Sequence, residues 1–264
     1  MTRELPTITV VTPSYNQGSF IRATIESVLG QGYPHLEYIV MDGGSTDETV
    51  DILREYEGRV PWVSEKDRGQ SDAINKGFRQ ASGDIIAFLN SDDLYEPGAL
   101  LAVGNHFASR PATTWLTGKC RIVDTLGHEK RRSITAYKNF WLRTHTHSAL
   151  VVLNYISQPA TFWRRSVIDE IGELDENLHY TMDYDYWLRL WKRWPLQFVN
   201  RYLADFRVHP ASKGGTSAAR QFQEGLDTAR RHVRSPLLLA LHRAHAAITV
   251  ASYKQLATPR RAST

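Results

Sequence analysis

Short apolar runs alternate with segments of helical periodicity through the first part of the chain. Ile8-Thr9-Val10-Val11-Thr12 reads as a buried strand; the loop from Ser14 to Gly18 leads into a helix over 19–29 with Phe20, Ile21, Ile25 and Val28 on one face. Leu36 to Met41 repeats the strand pattern and Asp42-Gly43-Gly44 the turn. Ser45 or Thr46 is placed to cap a helix reaching Leu53, with Asp47 and Glu48 in its first turn. A third strand is predicted over 61–65, a helix over 70–80 and a fourth strand over 84–89, whose nearly continuous apolar character suits a parallel sheet covered on both faces. Pro97 opens a further helix carrying Leu100, Leu101, Val103 and Phe107. The alternation is that of a wound α/β sheet. After about residue 115 it loosens into a hairpin at Leu126-Gly127, an unassigned aromatic stretch from Tyr137 to Tyr155, and helices near 165–171 and 184–194, with Gly214-Gly215 opening the last section.

In an open α/β sheet ligands gather beyond the carboxyl ends of the strands, so polar residues directly after apolar runs are where chemistry is sought. Three such edges stand out: Thr12-Pro13-Ser14-Tyr15-Asn16-Gln17-Gly18, Asp42-Gly43-Gly44-Ser45-Thr46-Asp47 and Asn90-Ser91-Asp92-Asp93. The first two are equally readable as ordinary turns. The third is not so easily read that way, because two adjacent carboxylates repel unless a cation or solvent intervenes, and Mg²⁺ or Mn²⁺ takes such ligands together with substrate phosphates. No G-x-G-x-x-G follows the first strand and no G-x-x-x-x-G-K-[ST] occurs, so a phosphate-bearing ligand would be held through a metal. Asp183-Tyr184-Asp185-Tyr186-Trp187 sets acids at a helix beginning, where Asp183 reads either as a cap or as a general base for an attacking hydroxyl.

Composition changes the picture little, and charge changes it more. The chain has 264 residues and a formal charge of +4. Residues 1–200 carry 21 Lys and Arg against 25 Asp and Glu, whereas 201–264 carry 11 against 3. No folded basic module with aromatic platforms accompanies this tail, which argues against nucleic acid. It reads as a contact with an anionic membrane surface or as a packed helix with solvated arginines. Leu237 to Ala251 is interrupted by His242, Arg243 and His245 and falls short of the roughly 20 residues of a membrane span. The N-terminus lacks a signal-peptide pattern, and the lone Cys120 forms no internal disulfide, which fits a reducing, cytoplasmic location.

Taken jointly, in their order and spacing, these segments resemble the family 2 glycosyltransferases, inverting enzymes of the GT-A fold, over about residues 6–215. The resemblance implies a GT-A domain over 1–215 and a basic helical extension over 216–264. It implies a nucleotide-diphosphate sugar donor of UDP, GDP or dTDP type, Mn²⁺ or Mg²⁺, and a glycan or lipid-linked acceptor. Thr12, Pro13, Ser14, Tyr15, Asn16 and Asp42 would receive the nucleotide, with Asp42 at the base, and Arg68, Asp72 and Lys76 would help hold ribose or diphosphate. Asn90-Ser91-Asp92 stands in place of the family's D-x-D, giving Asp92 to the metal and leaving Asn90 where an acid is frequent; Asp93 resembles a supporting acid. His209, in Phe206-Arg207-Val208-His209, is similar to the late histidine that reaches the metal or diphosphate. Asp183 matches the base, although Met182 replaces the preceding Glu. Gln158, Thr161 and Asp185 fall on the acceptor side; residues 158–162 also read as a strand leading into the next helix, and Asp185 also as a cap. The site would sit at the inner face of the cytoplasmic membrane. A sugar nucleotidyltransferase would open with a Gly-rich basic loop after strand one, and Thr12 to Gly18 has one glycine and no basic residue. A non-catalytic nucleotide-sugar or glycan-binding relative, marked by Asn90 and Met182, is the reading from another class.

Overall fold

β1 (Ile8–Ser14) and β2 (Leu36–Asp42) pair in parallel from Ile8 with Leu36 to Ser14 with Asp42, so the first two polar edges end side by side. β4 (Ile85–Phe88) lies parallel on the other side of β1, and β3 (Trp62–Ser64) parallel beyond β2. The computed structural model describes residues 4–210, 212 and 218–257. Further strands are β5 (Leu94–Tyr95), β6 (Trp115–Val123), β7 (Thr161–Arg164) and β8 (Gln197–Arg207), giving a mixed, mostly parallel sheet in the order β3-β2-β1-β4-β7-β6-β8-β5. β7 runs antiparallel to both β4 and β6.

Alternation along the central strands sorts the core into two layers, because successive side chains point to opposite faces. Ile8, Val10 and Val40 join Ile21, Ile25 and Val28 of α1 (Gly18–Leu29) and Leu100 and Val103 of α4 (Ala99–Ser109). Val11, Ile39 and Met41 face Ile74 and Phe78 of α3 (Gln70–Gln80) and the aromatic side of α8 (Met182–Trp191). Gly77 lets α3 approach this closely, since a Cβ there would lie 2.4 Å from Val11 Cγ1. Three fully buried tryptophans close the second layer: Trp187 stacks on Trp115 at 6.0 Å and meets Trp163 edge-on at 5.5 Å.

Several expectations shift. α2 (Thr49–Arg54) starts later than predicted, because Ser45 is bonded to Asp42 and Thr46 to Asn16, and it is Asp47 Oδ1 that accepts from the Thr49 N–H at 3.0 Å. Pro97 precedes α4 rather than opening it, with Gly98 at the cap. The predicted hairpin is a tight turn held by Asp124, closed by one bridge between Val123 and Glu129. The aromatic stretch folds as α5 (Arg132–Thr144) and α6 (His147–Leu153). α7 (Val167–Ile171) precedes α8, and Gly214-Gly215 lies outside the described residues. α9 (Ala218–His232) packs on α8, and α10 (Pro236–Ala257) on α6 and α9. No helix among the described residues is long and apolar enough to cross a membrane.

Candidate active site

Beyond the ends of β1, β2 and β4 a cavity of about 660 Å³ opens, lined among others by Pro13, Ser14, Tyr15, Lys66, Ser91 and Asp92. The rest of the first edge builds its walls. Asn16, in the left-handed region at φ 51°, receives the Thr46 N–H on its side chain at 2.9 Å and gives its own N–H to Ser45 Oγ at 2.7 Å. Thr12 lies behind the cavity lining: its side chain is buried and accepts from the Tyr38 hydroxyl at 3.1 Å. Asp42 is buried too, and its carboxylate accepts from the N–H groups of Gly44 and Ser45 and the hydroxyls of Ser45 and Ser64, at 2.5–3.1 Å. It shapes the Gly43-Gly44 turn that lines the cavity. Gly43 itself abuts Asp67, where a Cβ would come within 2.5 Å of Oδ2.

Arg68, Asp72 and Lys76 are bonded to one another. Asp72 accepts from the Arg68 N–H and guanidinium, each at 3.0 Å, with Lys76 Nζ at 3.6 Å, and this pulls its carboxyl down to about 2, hydrogen bonding from Arg68 outweighing burial. Arg68 also pairs with Glu176 at 2.7 Å and Lys76 with Glu65 at 2.7 Å. None of the three lines the cavity; Lys66, Gln70 and Asp67 do. Lys66 comes two residues after the end of β3, so the strand-end rule that found the other edges points to it as well.

The third edge divides its two acids. Asp93 is fully buried, accepting from the Arg207 N–H at 2.9 Å and the Asn90 amide at 3.2 Å; burial and the neighbouring Asp92 charge push it well above the ordinary carboxylate range. Asp92 alone turns to the cavity, its Oδ2 3.0 Å from Nε2 of the buried His209, whose ring lies 4.4 Å from that of Phe20. Burial and the Asp92 charge together favour the neutral form of Asp93, which lessens the repulsion between the two acids. Among the described residues no group of three or more His, Cys, Asp or Glu could hold a metal. Asp92 and His209 nevertheless supply one hard oxygen and one imidazole at the cavity wall, a pair that fits Mn²⁺ or Mg²⁺ when donor phosphates complete the shell. Asn90 receives the Gln70 amide on Oδ1 at 2.6 Å and gives its own to Gln158 at 3.3 Å.

A second cavity of about 340 Å³ holds Asp183, Lys138, Met182 and Gln158. Gln70, Asn90, His179, Phe206 and Ser212 line both cavities, so Asp92 and Asp183 open onto one continuous cleft. Burial raises the Asp183 carboxyl, against the Tyr184 N–H it accepts at 2.7 Å and the nearby Lys138 charge. Burial in turn lowers Lys138, which gives a bond to Ser157 Oγ at 3.3 Å. Gln158 donates to the Phe88 carbonyl at 2.6 Å and stays on the lining. Two residues expected on the acceptor side lie off the lining of this cavity. Thr161 is buried on β7, bonded to Thr117 and the Ser157 carbonyl, as the strand alternative required. Asp185 points to the far side of α8, held by Arg189 at 2.8 Å and His232 at 2.7 Å.

One contributor carries no local signal in the sequence. Glu224 of α9 accepts from the N–H groups of His179, Tyr180 and Thr181 and from the Thr181 hydroxyl, at 2.7–3.2 Å, while Thr228 Oγ1 lies 2.9 Å from Thr181 Oγ1. These are the groups at and before the N-terminus of α8, which lacks a side-chain cap of its own. Lys138 was hidden for another reason, lying within the aromatic stretch that was left unassigned.

Residues 9–172, which include the polar edges after β1, β2 and β4, Asp92 and Gln158, match the family model for glycosyl transferase family 2. The chain belongs to that family. An uncharacterized glycosyltransferase of Mycobacterium tuberculosis is 32% identical over 191 residues, 70% of this chain and 68% of the relative. Among solved structures, mannosyltransferase PcManGT of Pyrobaculum calidifontis in complex with GDP-Man and Mn²⁺ superposes with a TM-score of 0.71 at 20% identity, covering 98% of this chain and 77% of that one. The Staphylococcus aureus TarS 1–349 complex with UDP-GlcNAc gives 0.69 at 15%, covering 96% and 76%. These likenesses give this glycosyltransferase the GT-A fold.

Proposed function

We propose that this glycosyltransferase moves a sugar from a nucleotide-diphosphate donor to a hydroxyl of a glycan or lipid-linked sugar with inversion at the anomeric carbon. The observation that carries the reading is the shared cleft: Asp92 and Asp183 lie in adjoining cavities with a common wall, large enough for a donor on one side and an acceptor on the other. The nucleotide lies against Pro13, Ser14, Tyr15 and the Gly43-Gly44 turn, with Lys66 as a cation for the diphosphate. Asp92 and His209 would hold a divalent ion, whose positive charge would offset the negative charge growing on the leaving diphosphate. Asp183 accepts the acceptor hydroxyl's proton as that oxygen attacks the anomeric carbon, and the glycosidic bond to the diphosphate breaks on the opposite face. Lys138, within electrostatic reach of Asp183, keeps the base ionised.

Thermal shift with UDP, GDP, dTDP and their sugars, each with and without Mn²⁺, tests the donor half. A rise in Tm of several degrees that needs both nucleotide and metal is expected, and a concentration of about a hundred times Kd would contribute about 2.7 kcal/mol. Donor turnover in the presence of glycan acceptors tests the other half. A chain that binds a nucleotide sugar but neither transfers nor slowly hydrolyses it would be a binding protein of the same fold.

A further inference from the structure

Over residues 236–250, α10 is largely apolar apart from His242, Arg243, His245 and Thr249, yet it is covered on one side only. Leu238 and Leu239 pack on the core, and His242 is buried with Nδ1 2.7 Å from the Val151 carbonyl. The opposite face carries Leu237, Leu241 and Ile248, which share one side at helical spacing and are 68%, 47% and 67% exposed, with exposed alanines between them. Tyr137 of α5 stacks on His245 of α10, and one turn further along α5 Phe140 is 57% exposed. Leucine, isoleucine and phenylalanine thus stand in water on two neighbouring helices, whereas single exposed apolar residues would need no explanation.

Charge decides what covers this face. From Thr228 to Thr264 the chain has seven Lys and Arg and neither Asp nor Glu. Arg234, just before α10, and Arg243, on its open side, are exposed and have no ion-pair partner among the described residues. A second copy of the chain would bring two such positive surfaces together, which like-charge repulsion opposes. An anionic bilayer offers both the apolar layer and the opposite charge, the combination that an interfacial helix uses.

We infer that the open face of α10, with Phe140 beside it, seats the protein on a bilayer whose surface carries anionic phospholipid. Flotation of the full chain with vesicles of phosphatidylcholine, or of phosphatidylcholine with phosphatidylglycerol, tests this without reference to sugar transfer, so its failure leaves the proposed reaction standing. The chain should float with the anionic vesicles, and less so as salt is raised. Leu237→Glu/Leu241→Glu should weaken partition by about tenfold or more with an unchanged Tm, since both side chains face solvent. Arg234→Glu/Arg243→Glu should abolish the preference for phosphatidylglycerol. The proposal is overturned if the parent chain stays with neither vesicle or partitions equally to both. It is also overturned if the parent runs as a dimer that the leucine substitutions convert to monomer, which would make the face a contact between copies.

Discussion

A carboxylate serves as a base only while ionised, and Asp183 sits where burial opposes its ionisation. Its raised titration places the acid limb of the kcat profile above the ordinary carboxylate range: turnover should fall as pH drops through that raised value. The Lys138 charge works in the other direction, so Lys138→Met should move the limb to still higher pH. Asp183→Asn should remove the limb and lower kcat by about 10²–10⁴-fold, with nucleotide affinity intact because the donor side lies in the other cavity. Steady-state rates across pH, beside nucleotide titrations, read both. An Asp183→Asn variant with parental kcat would remove this residue from the chemistry. The same residue shows how far local sequence reaches. Asp183, Asp92 and Ser14 were legible because each sits at or near an element end, Ser14 closing β1, Asp92 shortly after β4 and Asp183 in the first turn of α8; the pairing of Arg68 with Glu176 was not, since Glu176 is more than a hundred residues away in sequence.

At the scale of elements, α3 was read with its observed limits because one face is apolar and the other polar, whereas α5 escaped because its exposed Tyr137 and Phe140 blur that stripe. β7 is four residues directly behind Pro159, too short for alternation to declare itself. The capping of α8 was illegible for a different reason: Glu224 is 43–45 residues from the groups it receives. Removing it strands the N–H groups ahead of Asp183 and frees the turn that leads to the proposed base. Glu224→Ala should cost about 0.5–2 kcal/mol of stability and lower kcat while leaving the donor KM near the parental value. Glu224→Gln, which keeps one acceptor oxygen, should recover part of kcat. Parallel losses in kcat and donor affinity would instead mean that the whole cleft had loosened.

Over the whole molecule, two halves of unequal legibility meet at one aromatic seam. The parallel half, β3-β2-β1-β4, follows from strand and helix periods alone, while the half built on β7, β6 and β8 depends on pairings distant in sequence. Trp163 of β7 and Trp115 of β6 meet Trp187 of α8 at the join, all fully buried. Trp187→Ala should therefore destabilise the fold by about 3–5 kcal/mol, measured as a lower urea midpoint with little change in slope. A loss below about 1 kcal/mol would show that the seam relaxes around the cavity.

The anchoring of α8 by Glu224 also has a consequence in time. Polypeptides emerge from the ribosome beginning with the N-terminus and tend to fold domain by domain as they do. β1, β2 and β4, and even Asp183 itself, are therefore made well before α9, which carries Glu224. A nascent chain should accordingly acquire the proposed donor side first and the proposed base in its anchored place only after Glu224 has been made and has left the ribosome.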